Sequence, residues 1–328
     1  MPSDRRAAAA PPASAPDHAD LARRGLIVVT GKGGVGKSTV SAVLARRLAR
    51  MGAAAGRRVL VVEVDPRENL HQLLGAPPSG GEIAQVGGGL CLQHLKPRAV
   101  VDRVIEERVR IGAVVRRVQA SAVYEHFVDG APGLKELAIL EHARRQLDDG
   151  RFDTVILDAP ATGHGVSMLR APRLVAEVVE GGPFGRIAAG IAELVGDPER
   201  SAVAVVTQAE EMPVQEALEL RRMMAEQLDR RPDLLVVNGL YPPLPDEQRD
   251  AAAGGVLAGA PAELVDLWRR RRAVNLRELA RLSAEWPSGG GRIELPLLPV
   301  PRGPELVAAL GRCLDARLKP RRRPGGAR

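Results

Sequence analysis

A glycine-rich segment of nine residues, GKGGVGKST at positions 31–39, constrains the fold of this chain more than any other feature. It follows an apolar run, 26–30, that is typical of a buried parallel strand, and a helical pattern of apolar residues begins directly after it. Glycines leave backbone N–H groups accessible and the helix N-terminus adds free donors, so a loop in this context can bind a polyphosphate. We therefore predict a nucleotide-binding loop, a P-loop, that comprises Gly31, Gly33, Gly34, Val35, Gly36, Lys37, Ser38 and Thr39.

The two lysines of this loop have different predicted roles. Lys37 occupies the position from which a P-loop lysine reaches the β- and γ-phosphates of ATP, and the Ser38 hydroxyl is placed to ligate Mg²⁺. The general motif does not require Lys32. Only five of the 47 basic residues are lysines and two of these lie in this loop, so we infer that a compact, flexible ammonium group is needed there. We predict that Lys32 lies at the lip of the loop and points toward another subunit.

Apolar runs with strand character alternate with helical patterns, which favours an α/β fold with a doubly wound, mostly parallel sheet, as in P-loop NTPases. We predict a single ATPase domain over residues 23–316, with helical insertions near 97–147 and 166–200 and a loop over 75–89. Ligands bind outside the carboxyl ends of parallel strands. The predicted strands end at polar residues that should converge there: Thr30, Asp65, Asp158 and Asn238.

Two of these strand ends carry acids suited to ATP hydrolysis. Asp65, at the end of the strand after the P-loop helix, is predicted to position the attacking water. Asp158 is predicted to bind Mg²⁺ with Ser38, through water. Either acid alone is also compatible with a helix N-cap, but the preceding P-loop favours the catalytic interpretation. The loop and the strand ends therefore predict Lys37 and Asp65 as catalytic residues, and the family resemblance described below adds Lys32.

The composition narrows the environment of the protein. Residues 1–22 are rich in alanine and proline and are predicted to be disordered, and residues 317–328 are predicted to form a disordered basic tail. That tail contributes +6 of the net charge of +7, so the folded body is near neutral and nucleic-acid binding is not expected. The two cysteines, Cys91 and Cys313, have no metal-binding spacing, and no apolar run approaches the roughly 18 residues of a membrane span. The sequence favours a cytoplasmic protein without an integral membrane segment.

The P-loop resembles the deviant Walker A loop of the dimerising ATPases that include MinD, ParA, nitrogenase iron protein and the arsenite-pump ATPase. Two further segments resemble the arsenite-pump (ArsA) family, which includes the cytosolic ATPase that targets tail-anchored membrane proteins. Residues 152–164, FDTVILDAPATGH, resemble its switch II, and residues 64–70, VDPRENL, resemble its switch I. The chain departs from the family at Glu68, where switch I usually has histidine, and at Gly165, which replaces a threonine.

This resemblance implies roles for individual residues. It implies a homodimer in which Lys32 acts on the nucleotide of the neighbouring subunit, and a moving switch II segment formed by Thr162, Gly163 and His164. It also implies that Asn238 reads the edge of the adenine, and that a loop with Pro299 and Pro301 covers the base. The cofactors it implies are ATP and Mg²⁺.

The leading hypothesis is an ATP-hydrolysing dimeric switch of the ArsA family, coupled to a protein client or membrane partner that the sequence does not identify. Arsenite is not expected as its ligand, because two cysteines cannot supply three thiolates within one subunit, and a zinc-binding CxxC is missing. The alternative is a positioning ATPase of MinD or ParA type at a membrane or nucleoid surface. A C-terminal helix with Leu306, Leu310 and Leu314 on one side, followed by the basic tail, suggests it. A third hypothesis is a nucleotide-binding regulator with little turnover.

Overall fold

A computed structural model describes residues 20–64, 68–108, 133–160, 164–178, 182–244, 261–286 and 291–318. Eight strands in these residues form one sheet, in the order β3-β4-β2-β5-β1-β6-β7-β8. The strands are β1 (Leu26–Thr30), β2 (Val59–Glu63), β3 (Ala84–Gly87), β4 (Leu90–His94), β5 (Thr154–Asp158), β6 (Ser201–Gln208), β7 (Leu234–Leu240) and β8 (Gly291–Pro296). All neighbours pair in parallel except β3, which runs antiparallel to β4 at one edge.

Nine α-helices in the described residues connect and cover these strands. They are α1 (Lys37–Gly52), α2 (Leu70–Leu74), α3 (Pro97–Arg108), α4 (Leu134–Asp148), α5 (His164–Val178), α6 (Gly182–Gly196), α7 (Glu211–Leu228), α8 (Ala262–Glu285) and α9 (Pro304–Leu318). Short 3-10 helices occur at Asp20–Arg23 and Ala53–Ala55. The pairs α3 and α4, and α5 and α6, occupy the regions where the sequence predicts helical insertions.

The sheet is buried on both faces, as its continuous apolar strands predict. In β1, Ile27 and Val29 pack in a core layer with α1, α2 and α9. Leu26 and Val28 point the other way, into a larger layer formed with helices α3 to α8. Side chains alternate between the two faces of a strand, so each face of β1 supplies apolar residues to one layer. The predicted doubly wound, mostly parallel α/β fold is confirmed.

One predicted loop is wrong in part. The segment 75–89 contains β3, a four-residue strand whose side chains alternate between half-buried and exposed. Its sequence, AQVG, is too short and too weakly apolar for a strand signal, and pairing with β4 determines its structure. This edge strand lies far from the P-loop in the sheet order.

The C-terminal helix α9 packs on the sheet. Val307, Leu310 and Leu314 are each at most 2% exposed, in the layer that contains α1. Asp315 also forms an ion pair with Arg47 of α1, with a distance of 3.1 Å between Oδ1 and Nε. The apolar side of this helix is thus buried within the subunit, which does not favour the membrane-surface alternative. Among the helices that the structure describes, none combines the length and apolar character needed to cross a lipid bilayer.

The strand register brings three titratable residues into one row at the carboxyl edge of the sheet. Glu63, the last residue of β2, pairs with Asp158 of β5 on one side and with His94 of β4 on the other. Paired residues of parallel strands point to the same face, here the one covered by α1. The P-loop follows β1, which is adjacent to β5, so this row ends beside the loop.

Candidate functional site

The conformation of the P-loop depends on its glycines. Gly31, Gly34 and Gly36 have φ angles of 145°, 84° and 92°, which residues with a Cβ rarely adopt. A Cβ on Gly31 would lie 2.1 Å from the carbonyl oxygen of Val206. One on Gly36 would lie 2.3 Å from Nδ2 of Asn238. The backbone of β6 therefore leaves room only for glycine at position 31, and the side chain of Asn238 on β7 lies directly against Gly36.

Lys37 is fixed at the end of the loop. It is the first residue of α1, directly after the left-handed Gly36, so the free N–H groups of the first helical turn face the loop. Its side chain is buried, and Nζ donates a hydrogen bond to the carbonyl oxygen of Lys32 at 3.0 Å. This bond joins the two ends of the loop and holds the ammonium group within it, where a phosphate chain would need a positive charge.

Asp158 lies at the base of the site, beneath the start of α1. Its carboxylate accepts a hydrogen bond from Ser41 Oγ at 2.9 Å and another from the Ser38 hydroxyl. Burial, together with the nearby negative charge of Glu63, raises the pKa of Asp158 to about 6, while the two serine hydroxyls and Lys37 oppose this shift. The structure thus brings together the two residues that the sequence assigns to the metal, Ser38 and Asp158.

Glu63 is a site residue that the sequence analysis missed. Its side chain is fully buried beside Asp158, and its carboxylate accepts hydrogen bonds from the backbone N–H groups of Asn69, at 2.9 Å, and Leu70, at 3.1 Å. These bonds tie the end of β2 to the start of α2, on either side of Asp65. An acid as the last residue of the apolar strand VLVVE is the sequence signal that could have identified it.

The far side of the loop is supported by β7. Asn238 donates a hydrogen bond from Nδ2 to the carbonyl oxygen of Val35 at 2.9 Å, and Val35 is itself buried. Pro299 and Pro301 are exposed and follow β8, the neighbour of β7, so they lie toward the same edge of the sheet. The predicted contacts of these three residues with adenine stay predictions.

Lys32 has a partner that the sequence does not suggest. Its Nζ lies 2.6 Å from Oε1 of Glu216, which is on α7 and 184 residues later in the chain. Both side chains are partly exposed, at 32% and 39%. Lys32 is therefore paired within its own subunit, and its predicted approach to another subunit stays a prediction.

The side chains of four other predicted site residues lie outside what the structure describes. Asp65, Thr162 and Gly163 lie outside the described residues, and only the backbone of His164 is described, as the first residue of α5. The residues around Asp65 are described. The Glu63 carboxylate, which precedes Asp65 in the chain, accepts hydrogen bonds from the backbone of Asn69 and Leu70, which follow it.

The oxygen ligands fit a hard divalent cation. Mg²⁺ prefers oxygen and is typically held by one or two protein groups together with phosphates and water. Ser38 and Asp158 supply a hydroxyl and a carboxylate next to the phosphate-binding loop. Within the described ranges no group of three histidine, cysteine or acidic residues could hold a metal alone.

Comparison with known proteins agrees with this geometry. Residues 24–181, which include the P-loop and Asp158, match the family model described as anion-transporting ATPase, ArsA_ATPase. An arsenical pump-driving ATPase of Escherichia coli is 29% identical over 267 residues, which is 73% of this chain and 44% of that protein. Residues 24–181 of this chain belong to the ArsA family of ATPases.

Two further relatives are similar to this chain. The ATPase BagA of Mycobacterium tuberculosis is 31% identical over 212 residues, 61% of each chain. An arsenical pump-driving ATPase of Acidiphilium multivorum is 28% identical over 267 residues, again 44% of its length. The matched region thus spans less than two thirds of each of these relatives.

The cysteines of this ArsA-family chain are far apart in the fold. Cys91 is on β4 and packs against the core layer of helices α3 to α8. Cys313 is on α9, which covers the opposite face of the sheet. Both are free thiols, and burial raises the pKa of Cys91. The two sulfur atoms are on opposite sides of the sheet and cannot bind one small ion within a subunit.

Proposed function

We propose that this ArsA-family chain hydrolyses ATP to ADP and phosphate as a cytoplasmic, homodimeric molecular switch. The observation that supports this most is the convergence of Lys37, Ser38 and Asp158 at the end of the glycine loop. A loop that served only as a turn would need neither a buried ammonium group nor a buried carboxylate at its base.

The proposed chemistry uses groups that are already in place. The loop amides and Lys37 bind the phosphate chain and orient its terminal group. Mg²⁺, held by Ser38 and, through water, by Asp158, would neutralise negative charge on the phosphate oxygens. Asp65 positions the attacking water, and Glu63 maintains the chain segment that carries Asp65. Charge that develops on the transferred phosphoryl group would be stabilised further by a second protein cation besides Lys37.

The second cation is proposed to come from a neighbouring subunit. Lys32 lies at the lip of the loop and its side chain extends toward α7, away from the loop that it belongs to. In a dimer with facing P-loops, Lys32 of each subunit would contact the phosphates bound by the other. Such a cation supplied in trans is worth about 10³–10⁵ in rate in phosphoryl-transfer enzymes. Binding of ATP would therefore close the dimer, and hydrolysis would allow it to open.

Arsenite is not proposed as the ligand of this chain. The relatives named arsenical pump-driving ATPases are similar over 44% of their length only. Cys91 and Cys313 lie on opposite sides of the sheet, so the chain offers no cluster of thiolates. The protein or membrane partner that the switch acts on stays open.

A steady-state phosphate-release assay at increasing protein concentration tests this function. We expect Mg²⁺-dependent turnover whose specific rate rises with protein concentration, because the active site is complete only in the dimer. Tight ATP binding with no turnover at any concentration would instead identify a nucleotide-binding regulator. Turnover with a specific rate independent of concentration would contradict the dimeric site.

A further inference from the structure

The ion pair between Lys32 and Glu216 is not explained by the function proposed above. A lysine that acts on the neighbouring subunit does not need an acid in its own subunit. Yet the Nζ–Oε1 distance of 2.6 Å is that of a direct charge-assisted hydrogen bond. Moreover, Lys37 in the same loop donates a hydrogen bond to the backbone carbonyl of Lys32, whereas the side chain of Lys32 bonds to α7.

The acid is presented by a rigid element. Helix α7 packs into the core through Val214, Ala217 and Leu218, each at most 5% exposed. Glu216 therefore projects from a fixed backbone toward the lip of the loop, whereas the lysine has a long flexible side chain. Of the two partners, Lys32 is the one that can move.

The surroundings of the pair keep it weak. A cleft of about 130 Å³ adjoins it, with Glu219 on the polar side and Ala217, Leu220 and Met223 on the apolar side. This volume can hold several water molecules, since each occupies about 30 Å³ in the liquid. A partly exposed, hydrated ion pair changes an equilibrium by a factor of only about 1.4–5. A ligand with more negative charge can readily displace the carboxylate.

We propose that Glu216 is a positioning residue that holds Lys32 on its own subunit until the nucleotide of a second subunit displaces it. The inference rests on the proposed action of Lys32 in trans. The triphosphate of ATP carries more negative charge than one carboxylate, so it removes Lys32 from Glu216 when two loaded subunits meet. After hydrolysis and phosphate release, the diphosphate competes less well and Lys32 returns to Glu216. The pair therefore opposes closure of empty or ADP-bound subunits and promotes reopening after turnover.

The Glu216→Gln variant tests this proposal, because it keeps the side-chain shape and removes the charge. Each dimer contains two such pairs, so ATP-driven dimerisation should become tighter by about 2- to 25-fold. The protein concentration that gives half-maximal turnover should fall by a comparable factor. Glu219→Gln is the matched control: it lies in the same cleft and on the same helix, but its carboxylate accepts a hydrogen bond from Gln215. We expect it to behave like the wild type.

Dimerisation is best measured by sedimentation with ATP in an Asp65→Asn background, in which hydrolysis is blocked and the full chain is kept. Adding Glu216→Gln should lower the dimer dissociation constant. Adding it together with Lys32→Ala should have no further effect beyond Lys32→Ala alone, since no lysine is left to release. If Glu216→Gln misfolds by circular dichroism, Glu216→Ala replaces it in the same series.

The possible failures are distinguishable. If Lys32→Ala collapses turnover but Glu216→Gln dimerises like the wild type, the positioning role of Glu216 is wrong and the trans lysine stands. A similar shift in the Lys32→Ala background would also overturn the role of Glu216, because the acid would then act without the lysine. Full turnover of Lys32→Ala would overturn both proposals. Tighter ATP binding by isolated Glu216→Gln subunits, with unchanged dimerisation, would show that Lys32 acts on its own nucleotide.

Discussion

The floor and the lip of the nucleotide loop are built differently, although both depend on a lysine. At the floor, Lys37, Asp158 and Glu63 are each at most 7% exposed. At the lip, Lys32 and Glu216 are 32% and 39% exposed and share one ion pair. The buried groups have several partners each, so their geometry does not depend on a ligand. The pair at the lip is partly exposed to solvent, and ion pairs of this kind are weak enough for a residue to change partners.

This difference predicts that substitutions near the floor act within one subunit, whereas substitutions at the lip act on the contact between subunits. Glu63 connects the floor to the segment that carries Asp65. Lys32 connects the lip to α7 and, in the proposed dimer, to the other subunit. The predictions below test where the boundary between these two regions lies.

Apart from Lys32→Ala, the largest effect on turnover is expected for Asp65→Asn, because it removes the group proposed to position water while leaving the phosphate-binding groups intact. Turnover should fall by about 10²–10⁴, the usual contribution of a positioned acid–base group. ATP affinity, measured by equilibrium binding, should change little. Unchanged turnover would show that a residue other than Asp65 positions the water and that the Glu63 contacts serve only the fold.

The next largest effect separates the two lysines directly. Lys37→Ala should weaken ATP binding by at least about a hundredfold, since hydrogen bonds to a charged group contribute about 1.5–3 kcal/mol each and Lys37 would donate two to the phosphates. Lys32→Ala is the matched variant, because it removes the same side chain from the same loop. In isolated subunits it should change ATP affinity by less than about twofold, the range of a weak surface contact. Similar losses in both variants would remove the distinction between floor and lip.

A smaller effect concerns the stability of the nucleotide-free protein. The pKa of Asp158 is raised to about 6 in the folded state, above the value of about 3.9 of an unfolded chain. The folded state therefore binds more protons between these values, and the free energy of unfolding falls as the pH rises from about 4 to about 6. Asp158→Asn cannot titrate and should escape this loss.

Urea unfolding of Asp158→Asn and wild type at several pH values checks this. The stability difference, variant minus wild type, should grow by the order of 1–3 kcal/mol between pH 4 and pH 7, because two pKa units correspond to about 3 kcal/mol at most. The titrations of groups that do not interact with Asp158 cancel in this difference. A pH-independent difference would mean that Asp158 does not carry the buried charge. With Mg²⁺ and ATP present, the wild type should be more stable than Asp158→Asn, because it then binds the ligand more tightly.

The smallest expected effect is that of arsenite, which should leave turnover unchanged. The reason is the placement of Cys91 and Cys313 on opposite faces of the sheet. A dimer could bring copies of one cysteine together, so any stimulation should disappear in a Cys91→Ser, Cys313→Ser double variant. Stimulation that persists in that variant would show that arsenite binds through groups other than thiolates.

Much of the floor can be predicted from the sequence, because its signals are local. The strand, the glycines and Lys37 are contiguous, and the left-handed φ angles of Gly34 and Gly36 explain why glycine occurs there. Asp158 is also recognisable in the sequence, because it is an acid at the end of an apolar strand. The alternation of strands and helices is sufficient to predict the parallel sheet and which ends of its strands meet.

The lip and the supporting contacts cannot be predicted in this way. The pair between Lys32 and Glu216 joins residues 184 positions apart, and its formation depends on how α7 packs on the sheet. The role of Glu63 depends on the register of β2 with β5 and on the start of α2. Strand β3 forms because β4 is available to pair with it, in a segment whose composition indicates a loop. In each case tertiary packing determines the contact, and no local sequence pattern indicates it.

The central claim is that Lys32 acts in trans, and mixing two inactive variants tests it most directly. A dimer of one Lys32→Ala subunit and one Asp65→Asn subunit contains one rebuilt site: the first subunit keeps Asp65 and receives Lys32 from the second. An equimolar mixture should recover about a quarter of wild-type turnover, since about half of the dimers are mixed and each has one working site of two. Subunit exchange is measured separately by energy transfer between labelled chains. Exchange without recovery of phosphate release would contradict the account, because a lysine that serves its own nucleotide leaves both sites of the mixed dimer defective.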